Sequence, residues 1–313
     1  MIEHFMFGLG QIVGLLVLAP LVQGIIKKTK ARLQNRIGAD IVQPYRDIFK
    51  YLKKDAVLAK DASWLTRATP YICFAVVLCV GALIPTVWIE APLAFTGDII
   101  LIVYLFAVMR FFLAITALDA GSAFGGMGSS REMVMAAICE PALLLAVIAV
   151  LLNVGTTNVG DVVRTLIQLD WDLFDYGHWL SCIAFLIVVI AETGRIPYDN
   201  PDTHLELTML HEAMMLEYSG RYWGILQWAV LVKQTILFSM FVNLFFPWGI
   251  AVDFAPSSLI LGLGFYVLKI IAVGILLACI ETMYAKIRIF KIPKLLASSM
   301  ALSILAIVLQ IAK

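Results

Sequence analysis

The sequence predicts an all-α, polytopic integral membrane protein with about eight transmembrane helices and one amphipathic helix on the cytoplasmic side. Three observations carry that reading. Hydrophobic residues make up 62% of the 313 residues and charged residues 14%, against about 45–50% and about 25% in an ordinary soluble domain. Mean hydropathy is +0.94. The apolar residues also fall in long unbroken runs without the alternation of a lipid-facing barrel strand. A soluble core of this size still needs a polar skin, so the composition excludes a soluble globular enzyme, a nucleic-acid binder and a disordered chain.

A helix needs about 20 apolar residues to cross about 30 Å of hydrocarbon. Eight runs meet or approach that length: 5–26, 69–89, 99–118, 134–154, 178–192, 222–246, 257–281 and 294–312. The fifth is short and is expected to extend at one end. The N-terminal run lacks a basic flank and continues for a full span, which reads as a first helix and not a signal peptide. No repeat or low-complexity linker interrupts the chain, so 1–313 reads as one membrane domain.

Basic residues set the orientation. Of the 23 Lys and Arg, 18 fall on one side of this arrangement, 11 of them between spans one and two. Only Arg164 and Lys313 fall on the other. Arg110, Lys233 and Lys269 lie inside spans. The positive-inside rule then places the long basic connection in the cytoplasm and both termini outside. Within that connection, Tyr45, Ile48, Phe49 and Leu52 recur at helical spacing opposite a basic face. Such a helix suits either a resting place on anionic lipid or a ledge for a soluble partner.

The five cysteines (Cys73, Cys79, Cys139, Cys182, Cys279) sit in apolar runs without ligand spacing and read as buried hydrophobes. The stretch Gly121-Ser122-Ala123-Phe124-Gly125-Gly126-Met127-Gly128 lacks the lysine of a phosphate loop and reads as a close-packed, flexible connection.

Charge inside the spans is the informative minority. An ionised side chain at the bilayer centre costs about 2.5–3.5 kcal/mol on insertion scales. Arg110, Glu140, Lys233 and Lys269 incur that cost, and Glu192 and Glu281 sit at span ends. They imply either an internal polar seam or a set of structural ion pairs. Pro141 follows Glu140 and frees a carbonyl one turn back, which suits a hydrated relay or a plain packing kink. The connection 192–221 is densest in chemistry. Asn200 and Pro201 suit a helix start. On a helix running from there, Asp202 and Glu206 are one turn apart and Glu217 falls on nearly the same face. Clustered carboxylates repel, which brings some of them toward neutrality near pH 7. The alternatives are a proton route and a solvated acidic face. His204 and His211 read as polar surface or capping residues.

Several of these segments resemble a known family. Arg32-Leu33-Gln34-Asn35-Arg36-Ile37-Gly38, with Gln43-Pro44-Tyr45-Arg46-Asp47 and Lys53-Lys54-Asp55, resembles the first cytoplasmic loop of the complex I membrane subunit 1 superfamily, the subunit adjoining the quinone site. Glu192-Thr193-Gly194-Arg195-Ile196-Pro197-Tyr198-Asp199 and Glu217-Tyr218-Ser219-Gly220 are similar to its second signature. The continuation Asn200-Pro201-Asp202-Thr203-His204-Leu205-Glu206 and the tail from Glu281 to Pro293 depart from the quinone-reducing branch. They resemble the group 4 membrane-bound [NiFe]-hydrogenase branch, that of formate hydrogenlyase subunit 4 and hydrogenase 4 component C. The resemblance implies a non-catalytic membrane anchor in the cell's inner membrane, with no cofactor of its own. The complex would carry [NiFe] and iron–sulfur clusters. The partners would be [NiFe]-hydrogenase large and small subunits, a ferredoxin-like iron–sulfur subunit and antiporter-like membrane subunits. It implies a proton pathway through Glu140, Glu192, Asp202, Glu206 and Glu217, extended by Lys233, Lys269 and Glu281. It implies contact with the peripheral arm at Arg36, Arg46, Asp47, Arg195 and Asp199. The alternative is a quinone-site subunit of a complex I-type NADH or ferredoxin dehydrogenase.

Overall fold

A computed structural model describes residues 2–59, 62–168, 175–199 and 210–312, with side chains from residue 7 onward. Among the described residues ten α-helices follow in order: α1 Ile2–Leu33, α2 Gln43–Leu52, α3 Trp64–Leu83, α4 Ile99–Asp119, α5 Ala123–Val154, α6 Val159–Gln168, α7 Tyr176–Glu192, α8 Gly220–Phe245, α9 Pro256–Met283 and α10 Ile292–Ile311. Among the same residues, β structure is limited to isolated bridges at Trp88–Ala251 and Asp98–Asn158. Seven of these helices are long and apolar enough to cross a membrane; α7, with 17 residues, is a shorter eighth. The chain is a multi-pass membrane protein.

Helix ends explain where the boundaries move from the expected ones. The second span runs over Trp64–Leu83 and not 69–89. Ser63 caps it by accepting from the Leu65 N–H at 3.1 Å, and Pro85 lies just past its end. The apolar stretch beyond leaves the helix and is stitched to a later loop, with Ile89 N donating to Ala251 O at 3.1 Å and Ala251 N to Val87 O at 3.0 Å. The fifth span extends back to Tyr176, whose N–H is accepted by Asp175 at 2.8 Å. The helix α6 was not expected from the sequence. Its Val159, Val162, Val163 and Leu166 are buried on one face, and Asn158 Oδ1 accepts from Gly160 N at 3.0 Å.

The glycine-rich stretch is a correction. Of the stretch Gly121–Gly128, expected as a flexible connection, residues 123–128 form the first turns of α5. Ser122 caps them, accepting from Gly125 N at 3.2 Å. The glycines serve proximity. A Cβ on Gly125 would stand 2.6 Å from Ala117 O, and one on Gly128 would stand 2.5 Å from Ala213 Cβ.

Spanning helices meet through small polar contacts between side chains and neighbouring helices. Thr69 and Thr116 hydroxyls join α3 to α4 at 2.6 Å. Ser181 Oγ on α7 donates to Ala146 O on α5 at 2.7 Å, and Ser299 on α10 to Ala184 O on α7 at 2.8 Å. Trp228 on α8 donates to Leu16 O on α1 at 3.1 Å. Of the long helices α8 is the most enclosed. Three of the cysteines, Cys73, Cys139 and Cys182, are buried as expected, Cys279 is half-buried and Cys79 is exposed; all are free thiols.

The amphipathic helix α2 forms as expected but turns a different face inward. Pro44 and Ile48 are buried, while Phe49 is 61% exposed. Tyr51 and Leu52 press on α8, where a Cβ on Gly224 would lie 3.0 Å from Tyr51 Cβ. The Tyr45 hydroxyl donates to Val17 O on α1.

Candidate functional site

Most of the charges that the sequence leaves inside spans or at their ends gather, with partners from the connections, into two clusters. The first centres on Arg110, in the middle of α4 and 6% exposed. Its guanidinium meets carboxylates from two other helices: Glu140 and Glu132 on α5, the latter at 3.6 Å, and Glu192 at the end of α7. Glu192 also accepts from Lys233 Nζ on α8 at 2.8 Å. The Lys233 ammonium stands 5.5 Å from the centre of the Phe106 ring. Glu132 and Glu192 side chains are 10% and 3% exposed, while Glu140, beside the kink-prone Pro141, is 33% exposed. Planar guanidinium with several donors suits one cation shared among three carboxylates.

The second cluster lies between α1, α8, α9 and the connection after α7. Arg195 donates to Glu281 at 3.4 Å, to Gln234 at 2.8 Å and to Gln23. Lys30 stands 3.3 Å from the other oxygen of Glu281. Next to it, Asp199 accepts from Lys286 at 2.7 Å and from Leu210 N at 3.1 Å. Tyr198, next in sequence to Asp199, is buried toward the Arg110 cluster. Burial pushes its phenol above the ordinary range, and the negative charge of Glu132 adds to that.

A cleft connects this region to the surface. Its outer part, about 770 Å³, lies between α1, α2, α8 and the connection before α8. Its walls include Lys27, Asp47, Lys54, Asp55 and Glu212. A deeper part of about 140 Å³ continues past Arg195, Asp199, His211 and Glu281. Gln23, Lys27, Glu212 and Gln227 line both parts.

Several expectations change against this geometry. Arg195 and Asp199, expected at a partner-facing surface, are buried at 7% and 4% exposure. The connection folds inward because each finds ionic partners inside. Arg36 is exposed; Arg46 pairs loosely with Asp40 at 3.6 Å, and Asp47 accepts from Gln43 at 2.8 Å on the cleft wall. Lys269 joins neither cluster. Its ammonium donates to the carbonyls of Phe246, at 2.7 Å, and Trp248, closing the carbonyl end of α8. The single helix expected to carry Asp202, Glu206 and Glu217 on one stripe does not continue through 210–219. Glu212–Met215 is a tight 3-10 turn, and Glu217 is exposed beyond it. That turn buries Ala213, Met214 and Met215 together, which an α-helix presenting one face could not do. Asn200, Pro201, Asp202, His204 and Glu206 lie outside the described residues.

Glu132, Gln23, Gln234 and Lys30 are members that the sequence did not single out, and His211, expected as a polar surface or capping residue, has an 18% exposed side chain and lines the deep cleft. Glu132 follows the glycine stretch, and only the helical reading of that stretch places it two turns before Glu140. Among the described residues, no group of three or more His, Cys, Asp or Glu side chains is arranged to hold a metal ion.

Eight apolar helices around buried, multiply paired charges, beneath a charged cleft, define a polytopic membrane protein with an ionised interior. The chain belongs to the NADH dehydrogenase family, whose profile matches residues 8–311. It is 34% identical over 304 residues to formate hydrogenlyase subunit 4 of Escherichia coli (strain K12), covering 97% of each chain. It is 33% identical over 282 residues to hydrogenase-4 component C of the same strain, covering 90% of this chain and 88% of that one. NADH-quinone oxidoreductase subunit 8 of Rhodothermus marinus is 28% identical over 234 residues, covering 72% of this chain and 66% of that one. Among solved structures, a chain of the membrane-bound sulfane sulfur reductase, an archaeal respiratory membrane complex, superposes with a TM-score of 0.86. That match covers 97% of this chain and 98% of that one at 22% identity, and it shows the shared fold. Both the formate hydrogenlyase and the hydrogenase-4 relatives are more similar to the chain than the Rhodothermus marinus subunit is.

Proposed function

We propose that this chain is the membrane-anchor and proton-coupling subunit of a membrane-bound [NiFe]-hydrogenase complex of the formate hydrogenlyase type. It joins a peripheral hydrogenase arm to an ion-pumping membrane arm. The observation that carries this is the buried cluster of Arg110, Glu132, Glu140, Glu192 and Lys233 in a chain that matches formate hydrogenlyase subunit 4 from end to end. The cleft supports the same reading: its deep part ends at Arg195, Asp199, His211 and Glu281, and His211 there stands 3.6 Å from Glu132 of the buried cluster.

In this reading the chain forms one domain in the inner membrane, with both termini outside and the cleft opening to the cytoplasm. The large and small hydrogenase subunits and a ferredoxin-like iron–sulfur subunit bind over α2, at Arg36, Arg46 and Asp47. Antiporter-like subunits lie alongside in the bilayer. The [NiFe] centre and the iron–sulfur clusters belong to those partners. Protons pass from the cleft through the 199–217 connection, which carries Asp202, Glu206 and Glu217, to the buried carboxylates. Arg195, Asp199 and Glu281 line the approach.

Proton conduction needs groups that change occupancy, so removing one carboxylate breaks it without removing the fold. Glu192→Gln and Glu206→Gln variants of the purified complex, sealed in vesicles, should keep electron transfer to an artificial acceptor. Their ion movement should fall at least tenfold. Wild-type pumping in both would defeat the relay. Mass spectrometry of the detergent-extracted complex tests the partners, a co-purifying [NiFe] large subunit being the expected result.

A quinone-site subunit is the second reading, and the position of the outer cleft between α1, α2 and α8 favours it. The five charged side chains on that wall disfavour an isoprenoid tail. A flavin-bearing NADH module in the same mass spectrum would decide for it.

A further inference from the structure

The cleft ends beside the Arg195 cluster, and His211 stands between that cluster and the one around Arg110. It lines the deep part of the cleft together with Arg195, Asp199 and Glu281. Its Nδ1 stands 3.6 Å from Glu132 Oε1. Glu132 is in turn 3.6 Å from Arg110 Nε, and Arg110 reaches Glu140 and Glu192. The side chain of His211 is 18% exposed and that of Glu132 is 10% exposed. The imidazole thus meets the cleft on one side and the buried carboxylates on the other.

The charge of the Arg110 cluster sharpens the point. Among the described residues, three carboxylates (Glu132, Glu140, Glu192) face two cations (Arg110, Lys233). The set is largely buried, with Glu140 a third exposed, and its one excess negative charge leaves room for a proton. Among the described residues the second oxygen of Glu132 is buried without a hydrogen-bond partner, so the set also has a vacant acceptor. The surroundings of His211 include Glu132 and Arg110 from α5 and α4, Arg195 and Asp199 from the connection after α7, Glu281 from α9, Lys27 and Lys30 from α1, and its own neighbour Glu212. A proton on His211 balances the Arg110 cluster, and one passed on to Glu132 leaves it balanced.

We propose that His211 is the relay residue through which protons pass between the cytoplasmic cleft and the buried carboxylates, with Glu132 as its immediate partner. This rests on the proton-coupling reading above and names its point of entry. Imidazole suits the step because it takes a proton on one nitrogen while releasing one from the other. A proton from the cleft binds Nε2, and the Nδ1 proton moves to Glu132. The ring is left neutral, as it began, and resets by exchanging its tautomer with the cleft. One proton enters the cluster, and no bond other than N–H and O–H changes.

The test uses the intact complex in sealed vesicles and records redox turnover and ion movement together. His211→Ala should slow coupled ion movement about a hundredfold, within the usual range for loss of a proton-transfer group. Added imidazole, small enough for the space left in the deep cleft, should restore much of the rate. Glu132→Gln, which keeps the side chain's shape, should show the same slowing without rescue. Wild-type ion movement in His211→Ala alongside silenced movement in Glu192→Gln would overturn the entry point and leave the broader reading standing. A loss in His211→Ala that imidazole does not relieve would mark a packing role and would equally overturn the relay. Wild-type movement in all three variants would overturn both.

Discussion

The Lys233–Glu192 pair offers a quantitative test of how the cluster is held. The two groups meet at 2.8 Å with side chains 6% and 3% exposed. At an effective dielectric of about 20, unit charges at that separation attract by roughly 6 kcal/mol, most of which offsets the loss of hydration. Removing one member of a buried pair costs about 3–5 kcal/mol because the other is left uncompensated. The structure makes the two single changes unequal. In Lys233→Met, Glu192 keeps Arg110, so the loss should lie near the lower figure. In Glu192→Gln, Lys233 keeps, among the described residues, the face of Phe106, so the loss should lie near the upper one. In the double variant neither member of the pair is stranded, and the total should fall short of the sum by about 2 kcal/mol, within the range of coupling energies for residues in contact. Denaturant unfolding of the detergent-solubilised complex, followed by tryptophan fluorescence, measures all four corners of the cycle. Additivity within about 0.5 kcal/mol, the behaviour of independent sites, would refute the pairing and with it the shared-cation description of the cluster.

Three further predictions rest on packing and exposure. Gly24→Ala places a Cβ 1.9 Å from Ile41 O, a backbone atom, and should cost about 1–3 kcal/mol as overpacking; a lowered melting temperature of the purified complex checks it. Lys269→Met removes two bonds to the end of α8 and should lower thermal stability while leaving the number of ions moved per turnover unchanged, as read in vesicles. Phe49→Glu puts a charge on the most exposed aromatic of α2 and should release the peripheral arm, seen as loss of the hydrogenase subunits on affinity purification with unaltered membrane insertion.

Most of the fold was legible because each span is a long apolar run, and hydropathy alone marks such runs. The α3 boundary was not, because the chain after Leu83 is as apolar as the helix, and Pro85 and the backbone pairing of Val87 and Ile89 with Ala251 take it out of the helix. Glycine misled for a related reason. In water, Gly121–Gly128 suggests flexibility, whereas here the missing Cβ atoms admit Ala117 and Ala213. Of the site, Arg110, Glu140 and Lys233 stood out by their cost, and the structure brings them together with Glu192 from a span end, whereas Lys269, the fourth deep charge, lies apart on the Phe246 and Trp248 carbonyls. Glu132 and His211 did not stand out, since each sat in a segment that looked exposed. The cost of burial is visible in a sequence only when burial itself is.

Gly220 and Gly224 fix how the cytoplasmic side is joined to the membrane interior. A Cβ at Gly220 would stand 2.1 Å from Asp55 O, and one at Gly224 would press on Tyr51. The stretch from Tyr51 to Asp55 therefore lies directly on the backbone of α8, and Arg221 N bonds to Lys54 O at 3.2 Å. The amphipathic helix cannot float with the lipid surface; it is a bracket bolted to a strut. Lys233 is nine residues beyond Gly224 along that strut, about 14 Å at the rise of an α-helix. Any push delivered to α2 from above would bear first on the backbone of the helix that carries the buried ammonium.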